Sequence, residues 1–413
     1  MVGPLYFAPF RLPAAVLLEP PAPPEWPGTP GIAMPLFRKS KSAAVKTAPT
    51  PSVSPARDGA PDAGEPIPPR DPALEQRIIE LGKDYLKLTR DNKQSMLSTA
   101  FWSDKLMDWA MQDKNFKIQL FRFVDTFPTL KTPEQVHDHL VDYLTQPGVT
   151  PPPFLGLGLK AGGMAKGLMT KTVTGQIESM AKRFIAGTDA ASALPKLKKL
   201  WADGIAFSVD LLGEACVSDE EAAMYQGKYL DLIENLPATV SEWAKNERLE
   251  SDHLGPIPRT NVSIKISSLY AKTDPIAFEG SIKGLMEMIV PILRVAKKKG
   301  VFINFDMEQY ALKDLTLELF MRCCEEVDFD AGLAMQAYLR SGDRDADRII
   351  EWSKRTGREV SVRLVKGAYW DYETIHAEQQ GWPVPVWSRK IDTDACFERL
   401  SAKFIEHTPR KTG

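Results

Sequence analysis

Polar and apolar positions alternate in five short runs through the second half of this chain. They are IAFSVDLLGEA (205–215), NVSIKISSL (261–269), VFINFDME (301–308), LAMQAY (333–338) and VSVRLVKGAYW (360–370). In the second run Val262, Ile264 and Ile266 oppose Ser263, Lys265 and Ser267; in the third, Ile303, Phe305 and Met307 oppose Asn304, Asp306 and Glu308. Val362 and Leu364 likewise oppose Arg363 in the fifth. A period of two is that of a β-strand. The stretches between the runs look helical, for example SIKGLMEMIVPILRVAKKKG (281–300). Strand–helix alternation predicts a parallel sheet covered by helices. Lys265, Asp306, Gln336 and Arg363 stand where strands should end, spaced 41, 30 and 27 residues apart. A strand with its return helix needs about 30 residues. Polar side chains gathered at the carboxyl ends of parallel strands are how a (β/α)8 barrel builds a site. The predicted class is α/β: an incomplete TIM-like barrel with about five of its eight strands.

Upstream, the period changes. Asp71 and Pro72 form a helix start, and Leu74, Ile78, Leu81, Tyr85 and Leu88 then mark one helical face. Thr132 and Pro133 open another helix, TPEQVHDHLVDYL. The pattern divides the chain into a disordered Pro/Ala/Ser-rich tail (1–70) and a helical arm (71–148). A linker with helices leading into the barrel (149–200) follows, then the amino-terminal part of the barrel (201–413). GQIESMAKRFIAG, in the lead-in, reads as helical, and Ser218 with Glu221 reads as a capping box. Gly156 and Gly158 lack the further glycine and preceding strand of a phosphate cradle, so 149–163 reads as a turn-forming linker.

Composition narrows the class. The 413 residues are 43% hydrophobic with a formal charge of −2, an ordinary globular balance with no basic surplus for nucleic acid. The four cysteines form no CxxC pair, which favours a reducing compartment, and no apolar run approaches the roughly 20 residues that span a bilayer. A cytoplasmic address is the expectation.

Each candidate side chain also has a plainer reading. Lys265 could be a solvated strand-end lysine or a nucleophilic Schiff-base lysine. Asp306 and Glu308 could cap a following helix or bind a metal, and Arg363 with Lys366 could be a structural ion-pair set. His137 and His139 flank a single helical residue and diverge, as surface histidines do. Aromatics such as Tyr369, Trp370, Trp382 and Trp387 more often pack than stack on a ligand.

Taken in order, RLVKGAYWDYE, GWPVPVWSRKIDTDACFE, INFDMEQY, MQAYLR and VSIKISSLY resemble the proline dehydrogenase part of the bifunctional proline utilisation A flavoenzymes. The resemblance runs from about Leu155 to His407 and continues more weakly into the helical arm. It implies FAD-dependent oxidation of L-proline to Δ1-pyrroline-5-carboxylate, with electrons passed to quinone and a peripheral contact at the inner face of the membrane. Under it Lys265 helps hold the substrate carboxylate, and Arg363 reaches toward the flavin N5 region. Gln336 hydrogen-bonds the isoalloxazine, Asp306 shapes the proline pocket, and Glu308 supports that face. Tyr369 packs against substrate; Val365, Lys366, Gly367, Ala368 and Trp370 line the flavin; Arg389 and Lys390 contact its phosphates or ribityl chain. Several family features are not found: the late strands, a helix with an arginine pair, the aldehyde dehydrogenase domain and a DNA-binding ribbon-helix-helix. Two alternatives therefore stay open, a flavin-free barrel lyase using Lys265 and an inactive truncated remnant.

Overall fold

The computed structural model describes residues 14–18, 71–91, 113–150, 175, 185–213 and 215–408. At its centre is a parallel sheet of strands β1 (Ala14–Leu18), β2 (Ile185–Gly187), β3 (Phe207–Leu211), β4 (Asn261–Ile264), β5 (Phe302–Phe305), β6 (Ala331–Gln336) and β7 (Ser361–Val365). Their order is β2-β1-β3-β4-β5-β6-β7, so the five strands predicted by alternation lie side by side in chain order. Return helices α5 (Asp219–Ser241), α6 (Phe278–Lys299), α7 (Lys313–Glu326) and α8 (Gly342–Thr356) connect them. Helices α9 (Trp370–Gln380) and α10 (Lys390–His407) follow β7. Parallel neighbours require such crossovers, because a hairpin cannot reverse the chain twice.

The two faces of the sheet differ as the alternation requires. Val209, Val262, Ile264, Ile303, Phe305, Leu333 and Met335 point outward and are buried against Leu232, Ile233, Leu236, Ile289, Leu293 and Phe320 of the helices. Burial of each such side chain contributes about 1.5–3 kcal/mol. Phe305 meets Phe320 edge-on at 5.3 Å between centroids, and Phe320 in turn meets Trp352 at 6.0 Å. The other face carries the polar residues.

Two strands depart from the sequence reading. Ile185–Gly187, expected to be helical, is a three-residue strand that ends where helix α4 (Ala190–Ala202) is capped by Asp189. A Cβ on Gly187 would come within 2.7 Å of Ser192 and the Ala193 backbone, so the strand-to-helix turn needs its glycine. Within the segment expected to be disordered, Ala14–Leu18 pairs in parallel with β2 and β3. The rest of 1–70 lies outside the described residues, as do Gly156 and Gly158.

Ahead of the sheet, helix α1 (Pro72–Asp91) begins with Ala73 N–H donating to Asp71 Oδ1 at 2.9 Å, as predicted. Its apolar face, Leu74, Ile78, Leu81, Tyr85 and Leu88, is exposed. Helices α2 (Lys114–Thr126) and α3 (Pro133–Leu144) pack together through Phe116, Phe123, Val136, Leu140 and Leu144. Thr132 and Gln135 close a reciprocal capping box at the start of α3. His137 is buried beside Asp138, whereas the sequence placed it on the surface.

Candidate active site

Polar residues of five strands meet on the inner face. Asp210 lies on β3 opposite Ser263 of β4, and Ser263 lies opposite Asn304 of β5. Lys265 follows β4 directly, Asp306 follows β5, Gln336 ends β6 and Arg363 sits in the middle of β7. Parallel register puts Lys265, Asp306 and Arg363 at about one level, with Asp210 one inward step below and Gln336 one above.

Lys265 Nζ donates to both carboxylate oxygens of Asp210 at 2.5 Å, and to Asp306 Oδ2 at 3.3 Å. Asp306 Oδ1 accepts from Arg363 Nη2. Two cations and two anions thus alternate across β3, β4, β5 and β7. The Lys265 and Asp210 side chains are only 11% and 13% exposed. Burial pushes the Asp210 carboxyl up to about 6; Lys265 opposes that rise and nearby Asp306 adds to it. For Lys265, burial disfavours the ammonium, but the attraction of Asp210 and Asp306 outweighs it, and its pKa lies above the ordinary lysine value. Beneath this group the buried Tyr229 hydroxyl accepts from the Lys265 backbone N–H at 3.2 Å. Burial raises its pKa, as does the charge on Asp210.

A lysine amine held between two carboxylates is a charged anchor. Schiff-base chemistry needs the neutral amine. The geometry therefore speaks against the barrel-lyase reading of Lys265.

Glu308 and Gln336 tie the strand ends together. Ser267 donates to Glu308 through its N–H (3.1 Å) and its hydroxyl (2.5 Å), and Ala215 N–H donates to Ser267 Oγ at 2.9 Å. Gln336 Nε2 donates to the carbonyls of Met307 and Glu308, both at 3.1 Å. Its Oε1 is buried and has no partner among the described residues. A buried acceptor without a donor costs about 1–3 kcal/mol, so this oxygen is a place where a ligand N–H gains most.

Beyond β7 the chain runs beside the end of β6. Ala337 N–H donates to Val365 O (2.8 Å) and Tyr338 N–H to Lys366 O (2.7 Å). Gly367 has φ +125° and lies on the Tyr338 ring, where a Cβ would come within 2.5 Å. Lys366, Ala368 and Trp370 are exposed and Tyr369 is half-buried; Trp370 Nε1 donates to Trp387 O at 2.8 Å. The remaining predicted cations form a second group at the start of α10. Lys366 and Lys390 share Asp394, and Arg389 pairs with Asp392 at 2.6 Å.

The structure thus joins Lys265, Asp306 and Arg363 in one network, with Gln336 and Glu308 bracing it. It sets Arg389, Lys390 and Lys366 in another. Ser263, Asn304 and Ser267 were not given site roles from the sequence, and Asp210 was read near the end of its strand without one. Asp210 shares the inward face of its run with Ser208, and the strand-end rule applied to that run points to it.

Comparison with known proteins adds an independent line. The family model described as "Proline dehydrogenase" matches residues 193–412, more than half the chain, and that of the "Proline utilization A N-terminal domain" matches 75–184. The bifunctional protein PutA of Escherichia coli (strain K12) is 29% identical over 249 residues, covering 59% of this chain and 18% of that protein. The proline dehydrogenase of Deinococcus radiodurans is 31% identical over 225 residues, 54% of this chain and 60% of that one. The crystal structure of proline utilization A from Bdellovibrio bacteriovorus, inactivated by N-propargylglycine, superposes with a TM-score of 0.72 at 36% identity. That match covers 82% of this chain and 33% of the other, and it supports the TIM-barrel-like reading of the sheet and the helical region before it. The chain spans less than a fifth of the PutA relatives it matches.

Proposed function

Because this chain belongs to the proline dehydrogenase family, we propose that it takes part in oxidising L-proline to Δ1-pyrroline-5-carboxylate, with FAD as cofactor and quinone as the electron acceptor. The observation that carries the reading is the alternating Asp210–Lys265–Asp306–Arg363 network at the carboxyl ends of parallel strands. Barrel enzymes place their chemistry at that end.

The residues fit a flavin. Gln336 offers one unpartnered buried acceptor, and an isoalloxazine ring carries an N–H that matches it. Val365, Gly367, Ala368 and Trp370 provide the adjoining wall, and Lys366, Arg389 and Lys390 are the cations available to its phosphates. Bound there, FAD supplies a two-electron acceptor for the hydride from the ring carbon beside the proline nitrogen.

The chain's own residues have three tasks. Arg363, whose side chain is 30% exposed, would turn its remaining guanidinium donors toward the flavin N5 region while Asp306 and Ser263 hold it in place, and Lys265 would help hold the substrate carboxylate. Lys265 remains protonated and adds positive charge on the same face. Asp306 links the two cations, which keeps them from repelling each other in a site of low polarity.

Cytoplasmic residence with a peripheral contact at the inner membrane face belongs to the same proposal; among the described residues no helix is long and apolar enough to cross a membrane. The test is direct. The chain is reconstituted with FAD, and anaerobic L-proline is added. Proline-dependent bleaching of the visible flavin band, with reoxidation by a soluble quinone, is expected. A folded protein that stays colourless, or a bound flavin indifferent to proline, would overturn the assignment.

A further inference from the structure

We infer that Asn304 is a positioning residue that sets the Asp306 carboxylate between Lys265 and Arg363, in a space that β6 keeps open with two small residues. The inference rests on the function proposed above.

Asn304 is 4% exposed and faces inward two residues before Asp306. Its Nδ2 donates to Asp306 Oδ1 and to Ser263 Oγ, both at 3.3 Å. The Asp306 oxygen that takes this bond is the one that accepts from Arg363, while the other oxygen takes Lys265. The amide therefore holds the carboxylate plane so that one oxygen faces Arg363 and the other Lys265.

The donor directions behind it are determined. Ser208 Oγ donates to Asn261 Oδ1 at 2.7 Å, so in its 3.2 Å contact with Ser263 it is the acceptor and Ser263 donates. Ser263 Oγ then has two lone pairs, one for Asn304 and one for Arg363 Nη1 at 3.4 Å. Every hydroxyl proton has a place, and the bonds run one way, from Asn304 and Arg363 through Ser263 and Ser208 to Asn261. Aligned chains of this kind polarise and reinforce one another.

Strand β6 makes room for it. Gly332 pairs with Asn304, and Ala334 pairs with Arg363. A Cβ on Gly332 would come within 2.8 Å of Asn304 Oδ1 and 2.7 Å of the Phe302 ring. With small residues at both inward positions, Arg363 crosses β6 to reach Asp306 and Ser263.

The experiment uses the full chain. Asn304→Leu keeps the number and branching of side-chain heavy atoms and removes the amide. With FAD bound, it should raise the KM for proline about 10-fold, the scale of a lost hydrogen bond to a charged group, with kcat altered less than about 3-fold and flavin content unchanged. Gly332→Ala, which crowds the amide without removing it, should raise KM in the same direction. Equilibrium urea unfolding of Asn304→Leu, Asp306→Ala and the double variant gives a reading independent of flavin. The midpoint shift caused by Asn304→Leu should be clear in the parent and smaller in the Asp306→Ala background, where only the bond to Ser263 remains to be lost. An equal shift in both backgrounds, or an unchanged KM, overturns the inference. A parent chain with no flavin and no proline oxidation overturns the proposed function instead, and the unfolding comparison still decides the role of Asn304.

Discussion

Replacing Asp210 by Asn should abolish a specific pH dependence of stability. The carboxyl titrates near 6 in the folded chain against 3.8 for the ordinary side chain. Between about pH 4 and 6 the folded state therefore holds more protons than the unfolded one, and Asp210 stabilises the fold progressively as pH falls through that window. Its contribution is complete below the unfolded value and is lost as pH rises through 6. Each unit of pKa difference is worth about 1.4 kcal/mol, so a rise from 3.8 to about 6 corresponds to about 3 kcal/mol between the extremes. Moving from pH 7 to pH 4 recovers about 2 kcal/mol of this, because the unfolded carboxyl begins to protonate near the lower end. The assay is urea unfolding of parent and Asp210→Asn at half-unit pH steps. Exposed carboxylates held low by partners, such as Asp392 beside Arg389, act in the opposite direction but are common to both proteins and cancel in the difference. The stability difference should slope with pH between 4 and 6 and flatten above 7. A difference independent of pH would refute the reasoning, since it would mean that Asp210 titrates alike in the two states.

Other expectations concern packing and charge elsewhere. Lys313 is 2% exposed and pairs with the buried Asp345 at 2.8 Å; Asp345→Ala leaves that ammonium with only the exposed Asp314 nearby and should cost about 3–5 kcal/mol in urea unfolding. A loss under 1 kcal/mol would show that Asp314 suffices. Gly367→Ala meets both a φ of +125° and the Tyr338 ring, so a fall in Tm equivalent to about 2 kcal/mol or more is expected; an unchanged Tm would mean that the loop shifts freely. Arg363→Met should retain the fold but lose proline-dependent flavin reduction, and Lys265→Ala should raise the KM for proline. Unaltered turnover and affinity in both variants would remove these residues from the site.

The strands were legible because a sheet with one apolar and one polar face imposes a period of two. Phe207–Leu211, Asn261–Ile264, Phe302–Phe305, Ala331–Gln336 and Ser361–Val365 all carry that period or end on its polar member. Ile185–Gly187 was not legible. Three residues cannot display a period, and their strand state comes from pairing with a segment nearly 170 residues earlier. Ala14–Leu18 was hidden for a related reason, since the proline-rich composition around it outweighs five residues whose strand state comes from pairing between β2 and β3. His137 illustrates the same limit on a helix: spacing gives direction, and the neighbour that covers the face comes from another element.

What the residue order determined by itself was the side of each strand on which a polar group lies, and that Lys265, Asp306 and Gln336 stand at strand ends; Arg363, expected at an end too, lies in the middle of β7. Only the assembled sheet decided their partners. Strand order and register put Asp210 within 2.5 Å of Lys265, and the small residues of β6 let Arg363 reach Asp306. Charge energies depend on distance and on the exclusion of water, and neither exists until separate strands are brought together. The lysine that could have been nucleophilic in isolation is therefore, in the fold, a protonated anchor.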